Sequence, residues 1–214
     1  QVRAVRDDVH LPPRPRRELE DIEGRLLDMD QMGVDIQILF PTFFIRYISL
    51  HAEPEAALAR SYNRWIAEKC AQTDGRLRWT AMLPWLDTDA AVEEIRWAKA
   101  NGACGIFKRG FDLNQPVCDP HFFPVYEEAN DLDLPLCIHT GHPGSEWDRG
   151  FPIIAAFSSV VNSKLSDKFP ALRFGFIEAG ASWIPYAVSQ LAMRERTERH
   201  HDEAVTFEVT RDLF

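Results

Sequence analysis

Two residues of this chain pair a reactive side chain with a position that would present it. His139 closes the apolar run Leu134-Pro135-Leu136-Cys137-Ile138-His139, and Thr140-Gly141-His142-Pro143 follows. Such a run has the pattern of a fully buried strand, and the glycine and proline stop its continuation. A neutral imidazole at a buried strand end can bind a divalent metal or act as a general base near neutral pH. Glu178 closes a second run, Leu172-Arg173-Phe174-Gly175-Phe176-Ile177, ahead of Ala179-Gly180. Neighbouring parallel strands lie about 4.8 Å apart, so the two residues could face one pocket. A carboxylate beside an imidazole can ligate metal, orient the ring or exchange protons. The competing readings are a core histidine with both nitrogens satisfied and a carboxylate paired with a strand-end cation.

Further candidates sit at other strand ends. Lys108 and Arg109 follow Ala103-Cys104-Gly105-Ile106-Phe107. They are candidates for binding an anionic substrate, Arg109 by a bidentate grip on a carboxylate. A strand-end lysine can also serve, carbamylated, as a metal bridge, and the plainer reading is two surface cations on a loop. Trp85, after Leu83-Pro84, is a candidate for an aromatic pocket wall, against packing between helix and sheet. His142, in the loop after His139, can touch substrate or simply be solvated. His10, His51, His121, His200 and His201 fall on loops or helix faces and receive no role. The chain has no GxSxG, no HExxH and no Walker loop, so serine-triad and nucleotide-phosphate mechanisms have no support.

These residues need a frame to hold them. Val34–Phe40 and Leu77–Leu83 complete a set of five β-rich runs. Between the runs lie helical patterns: Arg17–Met32, Glu53–Ala71, Asp87–Ala100, a segment opening at Asp119-Pro120, Phe151–Phe169 and Ser182–Arg194. Asp87 suits an N-cap position, and Pro120 suits the first turn of the helix that Asp119-Pro120 opens. Strand alternating with helix at this spacing predicts a parallel sheet with right-handed crossovers. Both a doubly wound sheet and a (β/α)8 barrel fit. No glycine-rich phosphate loop follows a strand, and polar residues end nearly every strand, which favours the barrel.

A barrel normally needs roughly 250 residues, and this chain has 214. The expected architecture is therefore an incomplete (β/α)8 domain over residues 17–214, holding barrel strands two to six, with residues 1–16 a polar, proline-rich surface loop. A complete five-stranded α/β domain is the plainer alternative. A net charge of −9 with scattered basic residues argues against nucleic acid as a partner. The four cysteines form no CxxC pair, which suits a reducing cytoplasm. No stretch is apolar enough to span a bilayer, so no membrane partner is expected.

Several motifs, in order, carry a resemblance. Met32-Gly33-Val34-Asp35 running to Phe40-Pro41-Thr42, Tyr62-Asn63-Arg64-Trp65, Leu83-Pro84, Asp119-Pro120, and Phe169-Pro170-Ala171-Leu172-Arg173-Phe174 leading to Glu178-Ala179-Gly180-Ala181-Ser182-Trp183-Ile184-Pro185 resemble the amidohydrolase-related family. The likeness, from about Arg17 to about Leu191, is to the branch with aminocarboxymuconate-semialdehyde decarboxylase and related aromatic-acid decarboxylases. It implies a metal-dependent (β/α)8 barrel with one divalent ion, zinc expected, manganese or iron(II) as alternatives. The family site uses an HxH pair on the first strand, a histidine ending the fifth and an aspartate ending the eighth. His139 matches the fifth-strand position, and the others have no counterpart within the chain. The related decarboxylases carry a catalytic histidine at the end of the sixth strand, where this chain has Glu178.

The resulting expectation is a metal-dependent enzyme that hydrolyses or decarboxylates, without redox chemistry, a small carboxylate or ring-derived acid. His139 would ligate the metal and take part in catalysis, Glu178 would handle the proton, and Lys108, Arg109, His142 and Trp85 would contact substrate. The partner would be a small molecule, with a homo-oligomer possible. The alternative is a non-catalytic barrel that binds a ligand or partner without metal.

Overall fold

The computed structural model describes residues 12–47, 49–112, 115–140 and 151–199. Its elements follow in chain order: α1 (Arg14–Arg17), α2 (Ile22–Met32), β1 (Gln37–Leu39), α3 (Ala52–Ala71), β2 (Leu77–Met82), α4 (Thr88–Ala100), β3 (Ala103–Arg109), β4 (Phe111–Asp112), β5 (Gln115–Pro116), α5 (Phe123–Asp131), β6 (Leu136–His139), α6 (Phe151–Asn162), α7 (Leu165–Lys168), β7 (Phe174–Ile177) and α8 (Ile184–Arg199). Five strands form one sheet in the order β1-β2-β3-β6-β7, every pairing parallel. Each new strand joins on the same side of the last, with a helix in between. A doubly wound sheet would reverse direction once. The unreversed order is that of a (β/α)8 barrel, of which five strands are described. β4 and β5 form a small antiparallel pair above the end of β3.

Helix starts follow local capping chemistry. Asp87 accepts a hydrogen bond from the Ala90 amide and opens α4, and Asp119 does the same for His121 in a short 3-10 turn before α5. Two expected helices are broken. The pattern over Arg17–Met32 is interrupted at Leu19 (φ 58°), and α2 restarts at Asp21, whose carboxylate accepts from the Gly24 amide. The expected loop thus gives way to helix at Arg14–Arg17, while residues 1–11 lie outside the described set. The pattern over Phe151–Phe169 divides into α6 and α7 at Lys164 (φ 51°). Neither break carries a glycine or proline signal.

The core lies between sheet and helices. Ala91, Ile95 and Ala98 on α4, Val125 and Ala129 on α5, and Ile153 and Val160 on α6 are buried against Trp79, Ile106, Leu136 and Ile138. A fully buried isoleucine such as Ile95 stabilises the fold by roughly 2 kcal/mol. A polar latch ties α3, α4 and β2 together. Asn63 donates to the Met82 carbonyl and to Glu94 Oε1, each at 2.8 Å, and accepts from the Met82 amide at 3.0 Å. Arg64 grips both oxygens of Glu94 and stacks over Trp97. This gives the Tyr62-Asn63-Arg64-Trp65 motif a structural purpose.

Strand β3 runs two residues further than its apolar pattern, so Lys108 and Arg109 belong to the ladder rather than to a loop. Gly110 then lets the chain pass against α6: a Cβ there would meet the Pro152 carbonyl oxygen at 2.4 Å. Among the described residues no helix is long and apolar enough to cross a membrane.

Candidate active site

His139 is the last residue of β6, paired in register with Arg109 on β3 and Ile177 on β7. The residue is 3% exposed, and its ring lies against Phe40 (centroids 5.5 Å apart) and Phe107 (5.8 Å). Nδ1 is 2.7 Å from the carbonyl oxygen of Thr140. A carbonyl only accepts, so Nδ1 must carry the proton of this bond. In the neutral ring Nε2 is then the lone-pair nitrogen, as a metal-binding or proton-accepting histidine requires.

That nitrogen faces Glu178, with Oε2 3.6 Å away. Glu178 follows β7 directly and has φ 65°, a left-handed conformation that a residue with a side chain adopts at a cost of about 1–2 kcal/mol. Its side chain is 65% exposed, in contrast to the buried imidazole. Thr140 joins the two: its hydroxyl donates to Glu178 Oε2 at 3.1 Å, and its amide donates to the Ile177 carbonyl at 3.2 Å. The structure therefore brings His139 and Glu178 together at the carboxyl ends of adjacent strands, the end at which barrels build their sites.

Two acceptors that face each other at 3.6 Å repel unless a proton or cation stands between them. Two atoms each about 2.1 Å from a common ion lie roughly 3–4 Å apart, so the pair fits part of a divalent-metal site. It is only part: among the described residues no group of three or more His, Cys, Asp or Glu could hold a metal ion.

The other strand-end residues gather elsewhere. Alternation along β3 sends Lys108 to the face opposite Arg109 and His139. Lys108 is fully buried between the rings of Trp85 and Phe122, its Nζ 4.0 and 3.5 Å from their centroids, and 2.5 Å from Asp112 Oδ2. The expectation that Lys108 faces the His139 pocket is corrected by this geometry. Arg109 turns its guanidinium to Asp112 Oδ1 and the Phe44 carbonyl, with Glu55 3.9 Å away. Its donors are committed inside the protein rather than held out for a substrate anion. Trp85 is 3% exposed and packs edge-on against Phe122, as part of this cluster. His142 lies outside the described residues.

Burial shapes the ionisation of the cluster. Desolvation pulls the Lys108 ammonium down to about 8, against the opposing pull of Asp112. For Asp112, burial alone would raise the value, but the charges of Arg109 and Lys108 and their hydrogen bonds hold it below the usual carboxylate range. Burial pushes Glu55 up, partly offset by its hydrogen bond from the Leu86 amide and by Arg109. Asp112 and Glu55 had no signal of their own in the sequence beyond Asp112 lying four residues after Lys108. Thr140, Phe40 and Phe107 were equally inconspicuous, being residue types with many uses.

The amidohydrolase family profile matches residues 8–210. In sequence the chain is similar to the γ-resorcylate decarboxylase of Polaromonas sp., at 27% identity over 85% of this chain and 63% of that protein. It therefore spans less than two thirds of that relative. In structure it is similar to an amidohydrolase of Mycobacterium avium subsp. paratuberculosis (TM-score 0.75, 19% identity, covering 89% of this chain and 55% of the other). It is also similar to a dihydroxybenzoic acid decarboxylase of Polaromonas sp. whose structure holds manganese and the inhibitor 2-nitroresorcinol (TM-score 0.69, 22% identity, 95% and 67%). The profile covers most of the chain and the strand order agrees with it, and the chain belongs to the amidohydrolase family.

Proposed function

We propose that the full-length protein is a divalent-metal-dependent carboxy-lyase that removes a carboxyl group from a ring acid without redox chemistry. The observation that carries this reading is the polarised histidine: Nδ1 is held by a carbonyl, so Nε2 is left facing Glu178. The decarboxylase relatives, one of them with manganese bound, support the reaction class and favour manganese over the zinc expected from the sequence. A divalent ion held through His139 Nε2 would supply positive charge against the anionic groups of the substrate.

The chain's own residues supply the rest. Decarboxylation breaks a C–C bond, CO2 leaves, and the carbon it leaves takes up a proton. Glu178 Oε2 is the group positioned to hold and deliver that proton, and its exposure gives it access to a bound ring acid. Phe40 and Phe107 shield the imidazole faces from water and fix the ring plane. Four unpaired cysteines accord with a cytoplasmic location.

Incubation of the Mn2+-loaded full-length protein with γ-resorcylate and a panel of other ring carboxylates tests the proposal. The expected result is release of one CO2 per ring acid consumed, abolished by chelation. Hydrolysis of an ester or amide panel without CO2 release would make the protein a hydrolase. Absence of both metal and turnover would favour a ligand-binding barrel.

A further inference from the structure

We propose that Thr140 is the positioning residue of this site, setting the gap between His139 Nε2 and Glu178 Oε2. The inference rests on the catalytic reading of that pair and assigns a role to a residue that acts through it. Three bonds converge on Thr140. The carbonyl accepts from His139 Nδ1 at 2.7 Å and so fixes both the tautomer and the tilt of the ring. The hydroxyl donates to Glu178 Oε2 at 3.1 Å, the same oxygen that faces Nε2. The amide donates to the Ile177 carbonyl at 3.2 Å and closes the last β6–β7 pair, His139 with Ile177.

The energetics explain why such a residue is needed. Glu178 is 65% exposed, so solvent competes for its carboxylate. Its backbone is already in the left-handed region, which sets the direction of the side chain but leaves its torsions free. Thr140 is 7% exposed, and its hydroxyl hydrogen-bonds from a backbone tied to the end of β7. A single hydrogen bond from a rigid donor therefore holds the mobile partner beside the immobile one. An outer partner of this kind typically changes activity by roughly 10–100-fold when lost.

The two halves of the role separate by substitution. Thr140→Val keeps shape and the backbone carbonyl, so it keeps the His139 tautomer and releases Glu178 alone. Thr140→Ser keeps the hydroxyl. With γ-resorcylate as substrate and Mn2+ as the probe of metal binding, T140V is expected to lower kcat by roughly 10–100-fold, with KM and Mn2+ affinity within about threefold of wild type. T140S is expected to restore kcat to within about threefold. In a Glu178→Ala background, T140V should have no further effect, because the partner it acts through is gone. An equal loss in both backgrounds, or no loss from T140V, overturns the proposal. If the wild type turns over no ring acid, the carboxy-lyase reading falls, and crystal structures of the variants still decide this one. A Glu178 carboxylate within hydrogen-bond reach of residue 140 in T140S and swung away from His139 in T140V supports it. A carboxylate unmoved in T140V overturns it.

Discussion

Lys108 immediately precedes Arg109, the ladder partner of His139, and strand alternation therefore sends Lys108 and His139 to opposite faces of the sheet. The strand end thus serves two purposes at once. One face presents a histidine to chemistry, and the other seats an ammonium between Trp85 and Phe122 against Asp112. Beyond the strand end Asp112 bridges that ammonium to Arg109, and the four buried charges on Glu55, Lys108, Arg109 and Asp112 balance in sign. The task of this cluster is to pin the loops after β1, β2 and β3 to the top of the sheet.

The cluster predicts an asymmetry between its members. Asp112→Ala removes the carboxylate hydrogen-bonded to both cations and leaves Lys108 and Arg109 buried with Glu55 as their nearest counter-charge. Removing one partner of a buried pair costs about 3–5 kcal/mol. Lys108→Met places a chain of similar length against the same two rings and leaves Asp112 paired with Arg109, so its cost should be less than half as large. Urea unfolding of both variants measures this. A Met variant as unstable as the Ala variant would show that the ammonium, and not the balance of charge, holds the loops.

The same lysine predicts a pH dependence. Its value falls from 10.5 to about 8 on burial, so between these two pH values the unfolded chain holds a proton that the folded chain does not. Stability rises with pH wherever the unfolded state binds more protons. The Lys108 contribution should therefore climb from about pH 8 to pH 10.5 and be flat below and above. Asp112 acts at the acid end: its depressed value adds stability above the ordinary carboxylate range, which is lost as pH falls through its folded value. Urea midpoints across the alkaline window, compared between wild type and Lys108→Met, isolate the first effect. If the two pH profiles run parallel, Lys108 does not titrate there.

A third prediction concerns the latch. Asn63 is fully buried and serves the Met82 amide, the Met82 carbonyl and Glu94 together. Asn63→Ala leaves these groups short of partners in a dry interior, at a total cost of about 3 kcal/mol or more. Asn63→Asp should not rescue stability, because it offers no donor to Glu94 and adds a like charge beside it. Thermal unfolding of both variants, with metal binding as a control for the distant site, checks this.

Much of this architecture could be read from the chain because apolar runs and polar strand ends are local signals. His139 and Glu178 stand out for that reason, and the unreversed strand order follows from five similar strand–helix units. The fate of Lys108 was hidden because it depends on parity. β3 continues through two charged residues that look like a loop, and a single position decides which face each one takes. Asp112 and Glu55, which neutralise the cluster, lie on different elements and meet only through the fold. The helix breaks at Leu19 and Lys164 place ordinary residues at positive φ, where tertiary packing overrides local preference. Thr140 was illegible for a different reason: two of its three contacts use backbone atoms, which no side-chain pattern reveals.

The last prediction separates the two members of the catalytic pair. His139→Ala removes the lone-pair nitrogen that the Thr140 carbonyl directs toward Glu178. If that nitrogen is a metal ligand, the ion should be held too weakly to survive dialysis, and turnover should disappear with it. Glu178→Gln keeps the size of the side chain, and its amide oxygen can still accept from the Thr140 hydroxyl. It has no proton to exchange at Oε2. Metal should therefore stay bound while kcat falls by roughly 10²–10⁴, the range of a general acid–base group. Metal content after dialysis and single-turnover rates on the full-length protein resolve the cases. Retained metal and full activity in His139→Ala would reduce the histidine to a packing residue. Loss of metal from Glu178→Gln would make the carboxylate a ligand, and the 3.6 Å gap would then be the span of one ion rather than the path of a proton.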